Sequence, residues 1–304
     1  MILYMNLLKY FILLLYFLTF GSIVSAENIK SKLENKIYSK IDDFTKNIGV
    51  DFADSLRNFE NLKYLDFSFN VQEGFDPSIE IESVSKLVEY DDGALFNQLN
   101  LISQDSKTTI NLGVGKRKLF DNDTYMLGTN FFIDYQFDES HLRNGLGLEA
   151  ISNSLDFIAN YYNAISGFKN TNNGKEKALD GYDIKLNYHL SSKSKTDFFV
   201  QLFEWENPNS TYQEKGEKVG MNSSIGNFAF EIGYLNDNKD NDGLFGSLKV
   251  VIPLGDQKDV LNEDKENMNK KNLSVRNKLY MPVQRENKIK VVKILKSGVK
   301  VSGF

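Results

Sequence analysis

Charged side chains at alternate positions of four segments between residues 107 and 191 carry most of the chemistry that this 304-residue chain offers. Three of them are carboxylates, Asp134, Glu149 and Asp183, and three are cations, Arg117, Arg143 and Lys185. Carboxylates close to cations can act as general acids or bases. Charges enclosed by protein more often pair with one another, because pairing offsets the cost of removing them from water. We interpret these six residues as structural ion pairs.

Other catalytic signals are weak. The chain has two histidines, His141 in the segment ESHLRN and His189 between Tyr188 and Leu190, and neither lies beside a nucleophile motif. No GxSxG, HExxH or phosphate-binding loop occurs in the sequence. The absence of cysteine removes disulfides and thiolate metal sites. We therefore expect no enzyme, no cofactor and no metal ion.

The elements that position these charges are β-strands, and residues 125–137 are typical. One set of alternate positions is Tyr125, Leu127, Thr129, Phe131, Ile133, Tyr135 and Phe137; the other is Met126, Gly128, Asn130, Phe132, Asp134 and Gln136. Successive side chains of a strand point to opposite faces, so one face is apolar and the other is mostly small or polar. The apolar face would be the core of a soluble sandwich or the lipid-facing side of a membrane barrel.

Twelve such segments follow one another, and most have 10 to 13 residues: 61–71, 78–90, 94–103, 107–117, 125–137, 141–151, 154–168, 179–191, 196–206, 216–225, 227–236 and 242–254. That length suits a tilted membrane strand, whereas soluble strands average five or six residues. We predict an all-β fold, a twelve-stranded antiparallel transmembrane β-barrel. Its lumen would be lined by Arg117, Asn130, Asp134, Arg143, Glu149, Asp183 and Lys185. A phase break near Ser83–Val84 predicts a bulge, and the facing of 196–206 stays open.

The flanking regions differ from the strands. Residues 1–26 have a basic start, the apolar run FILLLYFLTF and a small-residue cleavage site, which predicts a secretory signal peptide. Residues 27–60 have apolar residues every three or four positions, which predicts a short amphipathic helix in the periplasm. The barrel would span 61–255. If its first strand rises from the periplasm, the predicted outer loops, such as 169–178, are on the whole longer than the inner turns. The longest inner turn is 118–124. This difference in length is typical of membrane barrels.

The C-terminal region, 256–304, is a basic tail or linker. Residues 258–304 contain 12 Lys or Arg against 5 Asp or Glu. Residues 256–278 are compatible with disorder, while alternation in 279–301 favours extended structure. We expect Arg285 and Lys288 to enter the lumen and meet inward carboxylates such as Asp134 or Glu149.

Several motifs in one order resemble a known family. NLGVGKR (111–117), MLG followed by FIDY (126–135) and GLGLEA (145–150) are similar to the β-domain of the inverse autotransporters, the intimin and invasin group of adhesins. VQRENKIKV (283–291) is similar to the segment that follows the barrel in that family. The resemblance implies an outer-membrane barrel of a Gram-negative bacterium with a periplasmic N-terminus. It also implies a linker that passes back through the pore to a surface-exposed passenger.

Two features depart from this pattern. No peptidoglycan-binding LysM module precedes the barrel, and 49 residues follow Gly255, fewer than one immunoglobulin-like domain needs. We therefore expect a translocator or anchor whose passenger is vestigial or missing. A free-standing outer-membrane pore and a soluble secreted β-protein remain alternatives. Expected partners are outer-membrane lipid and lipopolysaccharide, a second copy in a homodimer and, implied by the resemblance, the barrel-assembly machinery and periplasmic chaperones, but no nucleic acid.

Overall fold

The computed structural model describes residues 60–171, 174–191, 194–208, 210–252, 254, 274–295 and 298–302. All of them belong to one compact unit. The predicted signal peptide and nearly all of the predicted amphipathic helix lie outside the described residues. Within the described part, no helix is both long and apolar enough to span a membrane.

Twelve strands close into one antiparallel barrel, as the alternation predicts. They are β1 (Leu62–Gln72), β2 (Ser78–Tyr90), β3 (Gly93–Gln104), β4 (Lys107–Phe120), β5 (Tyr125–Gln136), β6 (His141–Ser152), β7 (Leu155–Ala164), β10 (Asp180–Ser191), β11 (Ser194–Glu206), β12 (Gln213–Ile225), β13 (Phe228–Asp237) and β14 (Gly243–Val251). Each strand pairs with the next around the barrel, and β14 closes it by pairing with β1.

Four short strands form a second sheet, here called the cap sheet. They are β8 (Lys169–Thr171), β9 (Gly174–Ala178), β15 (Val291–Leu295) and β16 (Gly298–Ser302), in the order β16-β15-β9-β8. The prediction of a plain loop at 169–178 is therefore wrong. Residues 174–178 show no alternation of their own, and the longer of their two partner strands, β15, comes from the distant tail.

Three local predictions also need correction. β4 continues to Phe120, so the turn before β5 is only Asp121–Thr124, and Asp121, Asn122 and Asp123 adopt positive φ. Asp and Asn tolerate that conformation better than most residues, which makes the turn tight. The seventh strand ends at Ala164 rather than at residue 168. The register of β2 against β3 shifts between Lys86 and Val88, a few residues beyond the predicted bulge.

The barrel has a polar inside and an apolar outside. On β11, Phe198, Val200 and Leu202 are exposed, whereas Phe199, Phe203 and Trp205 are buried, which settles the open phase of that strand. The outward alternate residues of β4 to β7 and β10 are likewise exposed apolar side chains, among them Leu112, Val114, Leu127, Phe131, Leu146, Leu148, Phe157 and Leu186. The apolar faces of the described strands are not packed together, so the alternative of a soluble protein built that way is wrong.

The two ends of the barrel differ. At one end, here called the turn end, adjacent strands are joined by short connections such as 91–92, 121–124 and 226–227. At the other end, the loop end, most connections are longer, and the one between β7 and β10 carries β8 and β9. β1 starts and β14 finishes at the turn end. The tail therefore leaves the barrel wall at the turn end.

Candidate functional site

The candidate site is a chain segment that crosses the barrel interior, here called the crossing segment (274–290). At the turn end, the amide of Val275 donates to the carbonyl of Asp123 at 2.7 Å, and Arg276 binds the Asp123 carboxylate at 2.8 Å. At the loop end, the carbonyl of Lys290 accepts from the amide of Leu179 at 2.9 Å. The next residues form β15, which pairs with β9. The crossing segment thus runs through the lumen from the turn end to the loop end.

Its midpoint is fixed by one carboxylate shared between two guanidinium groups. Asp134 on β5 accepts from Arg143 on β6 at 2.8 Å, and both of its oxygens accept from Arg285 of the crossing segment at 2.8 Å. All three side chains are at most 1% exposed. The Arg285 guanidinium also lies 4.1 Å from the ring centroid of Phe132. Bidentate geometry with aromatic stacking suits Arg and not Lys.

Wall arginines also bind the backbone of the crossing segment. Arg143 donates to the carbonyls of Glu286 and Lys288 at 2.7 and 3.0 Å. Arg117 pairs with Glu149 at 2.9 Å and donates to the carbonyls of Lys278, Leu279 and Met281 at 3.3, 3.0 and 2.5 Å. The crossing segment begins with a 3-10 helix at Arg276–Lys278 and has no sheet partner between 279 and 289, so its carbonyls need other donors. One guanidinium supplies five N–H groups, enough to serve a carboxylate and several carbonyls together.

Neutral polar side chains complete the binding. Gln98 accepts from the amide of Val283 at 2.8 Å, and Asn160 donates to the carbonyl of Gln284 at 3.0 Å. The amide of Glu286 donates to the Tyr162 hydroxyl at 2.7 Å, and Asn287 donates to Glu80 at 2.6 Å. With the arginine contacts, these bonds come from β2 to β7. The crossing segment therefore lies along that side of the lumen.

The residues that the sequence predicts to face the lumen differ in their burial and in their partners. Arg117, Asn130, Asp134, Arg143, Glu149 and Asp183 are buried, and Lys185 is mostly enclosed. Asp183 accepts from Asn160 and from the Tyr162 hydroxyl, while the Lys185 ammonium lies 3.9 Å from Glu231. Arg285 meets Asp134, one of the two carboxylates named for it, and Glu149 instead binds Arg117. Lys288 contacts the wall through its backbone carbonyl.

Arginine usage is the signal that sequence reasoning missed. The chain has 36 Lys or Arg, but only five are Arg: Arg57, Arg117, Arg143, Arg276 and Arg285. Arg57 lies outside the described residues. Each of the other four forms hydrogen bonds between the crossing segment and the barrel. In a chain that otherwise uses Lys, the rare Arg positions mark the contacts that need planar, multidentate donors.

Two apolar clusters hold the ends of the crossing segment. In the turn-end cluster, Val275, Leu279, Tyr280 and Val283 pack with inward residues of β1 to β6, namely Tyr64, Val84, Ala94, Phe96, Leu119, Met126, Phe132 and Ile151. In the loop-end cluster, Val292 of β15 packs with Tyr162, Leu179, Phe203, Trp205, Tyr212 and Leu235. Each cluster covers a different sector of the wall, because the crossing segment enters on one side and leaves towards the other.

The cap sheet is joined to the barrel by one buried carboxylate. Glu176 on β9 accepts from Lys107 of β4 at 2.8 Å and lies 3.3 Å from His141 of β6 and 3.9 Å from Lys293 of β15. Burial raises the pKa of Glu176, but hydrogen bonds from His141 and Lys107 outweigh burial and hold that pKa below its ordinary value of 4.5. The carboxylate thus remains charged and connects four strands.

This cluster contains a serine, a histidine and a glutamate in series, since His141 Nδ1 lies 3.0 Å from Ser166 Oγ. The arrangement is structural. The His141 ring is fully buried, so a substrate has no access to it, and Lys107 already neutralises the carboxylate. His189, the other histidine, lies between Asp156 and Asp197 at 2.9 and 2.6 Å. Across the described part of the chain, no group of three or more His, Asp or Glu is placed to hold a metal ion.

Comparison with known proteins agrees with this geometry. The family model "Inverse autotransporter, beta-domain" matches residues 18–287. The chain belongs to this family. A putative attaching and effacing protein homolog of Escherichia coli K12 is 29% identical over 49% of this chain and 53% of its own length. Intimin of Escherichia coli O157:H7 is 36% identical over 32% of this chain and 10% of its own length.

This inverse autotransporter β-domain therefore spans about half the length of the first of these curated relatives and about a tenth of the second. Among solved structures, a chain from a study called "Unveiling the Mechanism Behind the in-meso Crystallization of Membrane Proteins" has a TM-score of 0.63 at 21% identity. It covers 78% of this chain and 100% of its own length. That likeness concerns the fold. Membership of the family assigns the barrel to the outer membrane.

Proposed function

We propose that this β-domain is an outer-membrane anchor that holds its own C-terminal segment across the barrel and presents the chain beyond Lys290 at the cell surface. The observation that carries the proposal is the crossing segment itself. It enters among the turns, is bound at mid-lumen through Arg285 and Asp134, and leaves among the loops. A plain pore has no need for such a bound segment.

The exposed outer face supports insertion in a membrane. Its middle is mainly aliphatic or Phe, whereas tyrosines are exposed near both ends: Tyr90, Tyr125 and Tyr188 near the turn end, and Tyr161, Tyr182 and Tyr234 near the loop end. Aromatic girdles at the two lipid–water interfaces flank the apolar band of membrane barrels. The same face gives the barrel its proposed contacts with lipid and lipopolysaccharide.

The orientation is part of the proposal. Short turns of outer-membrane barrels face the periplasm and longer loops face outward, so the turn end would be periplasmic. Residues 1–26 would be the signal peptide and 27–60 a periplasmic amphipathic helix, ahead of the barrel at 61–255. The barrel-assembly machinery and periplasmic chaperones are the proposed assembly partners, and a homodimer is a further proposal.

Epitope tags test the topology against internal references. One tag follows Phe304, a second is inserted in the loop at 239–241 and a third in the turn at 226–227. We expect antibody on intact cells to detect the first two, and the third only after the outer membrane is permeabilised. If the C-terminal tag behaves like the turn tag, the crossing segment does not deliver the tail outward. The protein would then be a barrel without a presenting role.

A further inference from the structure

The crossing segment fills only part of the lumen. Most of its hydrogen bonds go to β2 through β7, with two more to Asn187 and His189 of β10. The side of the wall formed by β10 to β14 and β1 borders a cavity of about 530 Å³. The lining on that side mixes apolar side chains, such as Phe230 and Phe245, with polar ones, including Gln201, Lys218, Asn222, Glu231, Ser247 and Lys249. A cavity of this size with so many polar partners holds several waters, since one water needs only about 10–15 Å³.

At each end of the barrel an apolar cluster covers only part of the opening, and the uncovered part differs between the turn end and the loop end. At the turn end, the cluster covers β1 to β6, and the cavity lining includes Gly226 and Asn227 of the β12–β13 turn. At the loop end, the cluster covers the β7, β11 and β13 side, and the cavity lining includes Gln72, Asp76 and Gln104 near β1 to β3. The lining therefore extends diagonally from one end of the barrel to the other, beside the crossing segment.

We propose that small ions and small polar solutes pass along this diagonal route while the crossing segment stays bound. The route is lined by both signs of charge. Lys249 pairs with Asp66 at 2.8 Å and lies 3.7 Å from Glu82, and Lys185 faces Glu231 at 3.9 Å. Such mixed lining gives weak discrimination between monovalent cations and anions. The described barrel is thus an anchor with a narrow aqueous path, separate in function from the presentation of the tail.

Single-cysteine chemistry tests the path because the natural chain has no cysteine. The full chain is inserted in planar bilayers, and a small charged methanethiosulfonate reagent is added to either side. Ser247→Cys places the thiol on the cavity side of β14. Asn130→Cys is the matched control, because Asn130 is an inward residue of β5 that is only 6% exposed and does not line the cavity.

We expect the unmodified full chain to conduct, and reaction at Ser247→Cys from either side to lower that current at least twofold. The Asn130→Cys current should not change. Heat-modifiable gel migration establishes that each variant is a folded barrel. The proposal is overturned if the folded full chain carries no current, or if the Ser247→Cys current is unaffected by the reagent. It is also overturned if the Asn130→Cys current falls equally. The tag experiment measures the topology of the tail and not a current. The presenting role and the aqueous path can therefore be refuted independently of each other.

Discussion

The two halves of the lumen use different cations. The half along β2 to β7 binds the crossing segment through Arg117 and Arg143 of the wall and through Arg285 of the segment, which are almost fully enclosed. The half along β10 to β14 and β1 borders the cavity and carries Lys185, Lys218 and Lys249. A guanidinium group is weakly hydrated and has donors in a fixed plane, whereas an ammonium group is strongly hydrated and adaptable. In this lumen, Arg therefore marks the packed contacts with the crossing segment, and Lys marks the wall beside the cavity.

Loss of an enclosed guanidinium should have the largest effect. Arg285→Ala removes both hydrogen bonds to Asp134, and we expect it to destabilise the docked segment by about 3–5 kcal/mol, as for other broken buried ion pairs. Urea titration of the folded barrel, with proteolysis of the crossing segment as readout, measures the loss. Arg285→Lys should recover only part of it. Lys218→Ala, on the cavity side, is the matched control, and equal losses at the two positions would contradict the distinction between the halves.

A larger side chain should also have different effects in the two halves of the lumen. Asn130→Arg introduces a long cation beside Gly147, where the Asn130 side chain already occupies the space that a Cβ would need. We expect a cost of about 2–3 kcal/mol from overpacking and from a cation without room for hydration. Gln201→Arg points a side chain of the same size into the cavity and should cost much less. Refolding titrations of the two variants provide the comparison, which fails if Gln201→Arg is the more damaging change.

The smallest effect should come from the cap sheet. Because the pKa of Glu176 is lower in the folded protein than its ordinary value of 4.5, its contribution is fully present above that pH. The contribution is lost as pH falls through the lower folded pKa. Glu176→Gln should weaken docking of the cap sheet, including β15, on the barrel by about 1.5 kcal/mol at neutral pH, near the low end for hydrogen bonds to charged groups. Hydrogen exchange of the β15 amides measures this.

The control for Glu176 is the exchange of amides in the barrel strand β5, which should not respond to the substitution. The pH dependence provides a second check. The difference in β15 exchange between the natural chain and Glu176→Gln should shrink as the pH falls below about 4.5. A difference that grows on acidification would mean that Glu176 is bound in its protonated form.

The sequence was informative wherever structure is local. The period of two in Tyr125–Gln136 depends only on adjacent residues, so the strands and the barrel could be predicted from it. The cap sheet could not, because Gly174–Ala178 lies in it between the short local strand β8 and the distant Val291–Leu295. The division of the lumen was also hidden. Alternation marks Arg143 and Lys185 alike as inward, and their different surroundings depend on where the crossing segment lies.

Conductance measures the central claim most directly, because a segment bound inside the lumen must obstruct it. The full chain and a chain that ends at Leu254 are compared in planar bilayers, after heat-modifiable migration has established that both are folded. A twelve-stranded barrel is wider than the eight-stranded barrels that side chains can fill, so removal of the segment opens space. We expect a severalfold larger single-channel conductance for the shortened chain. Equal conductance of the two folded barrels would contradict it.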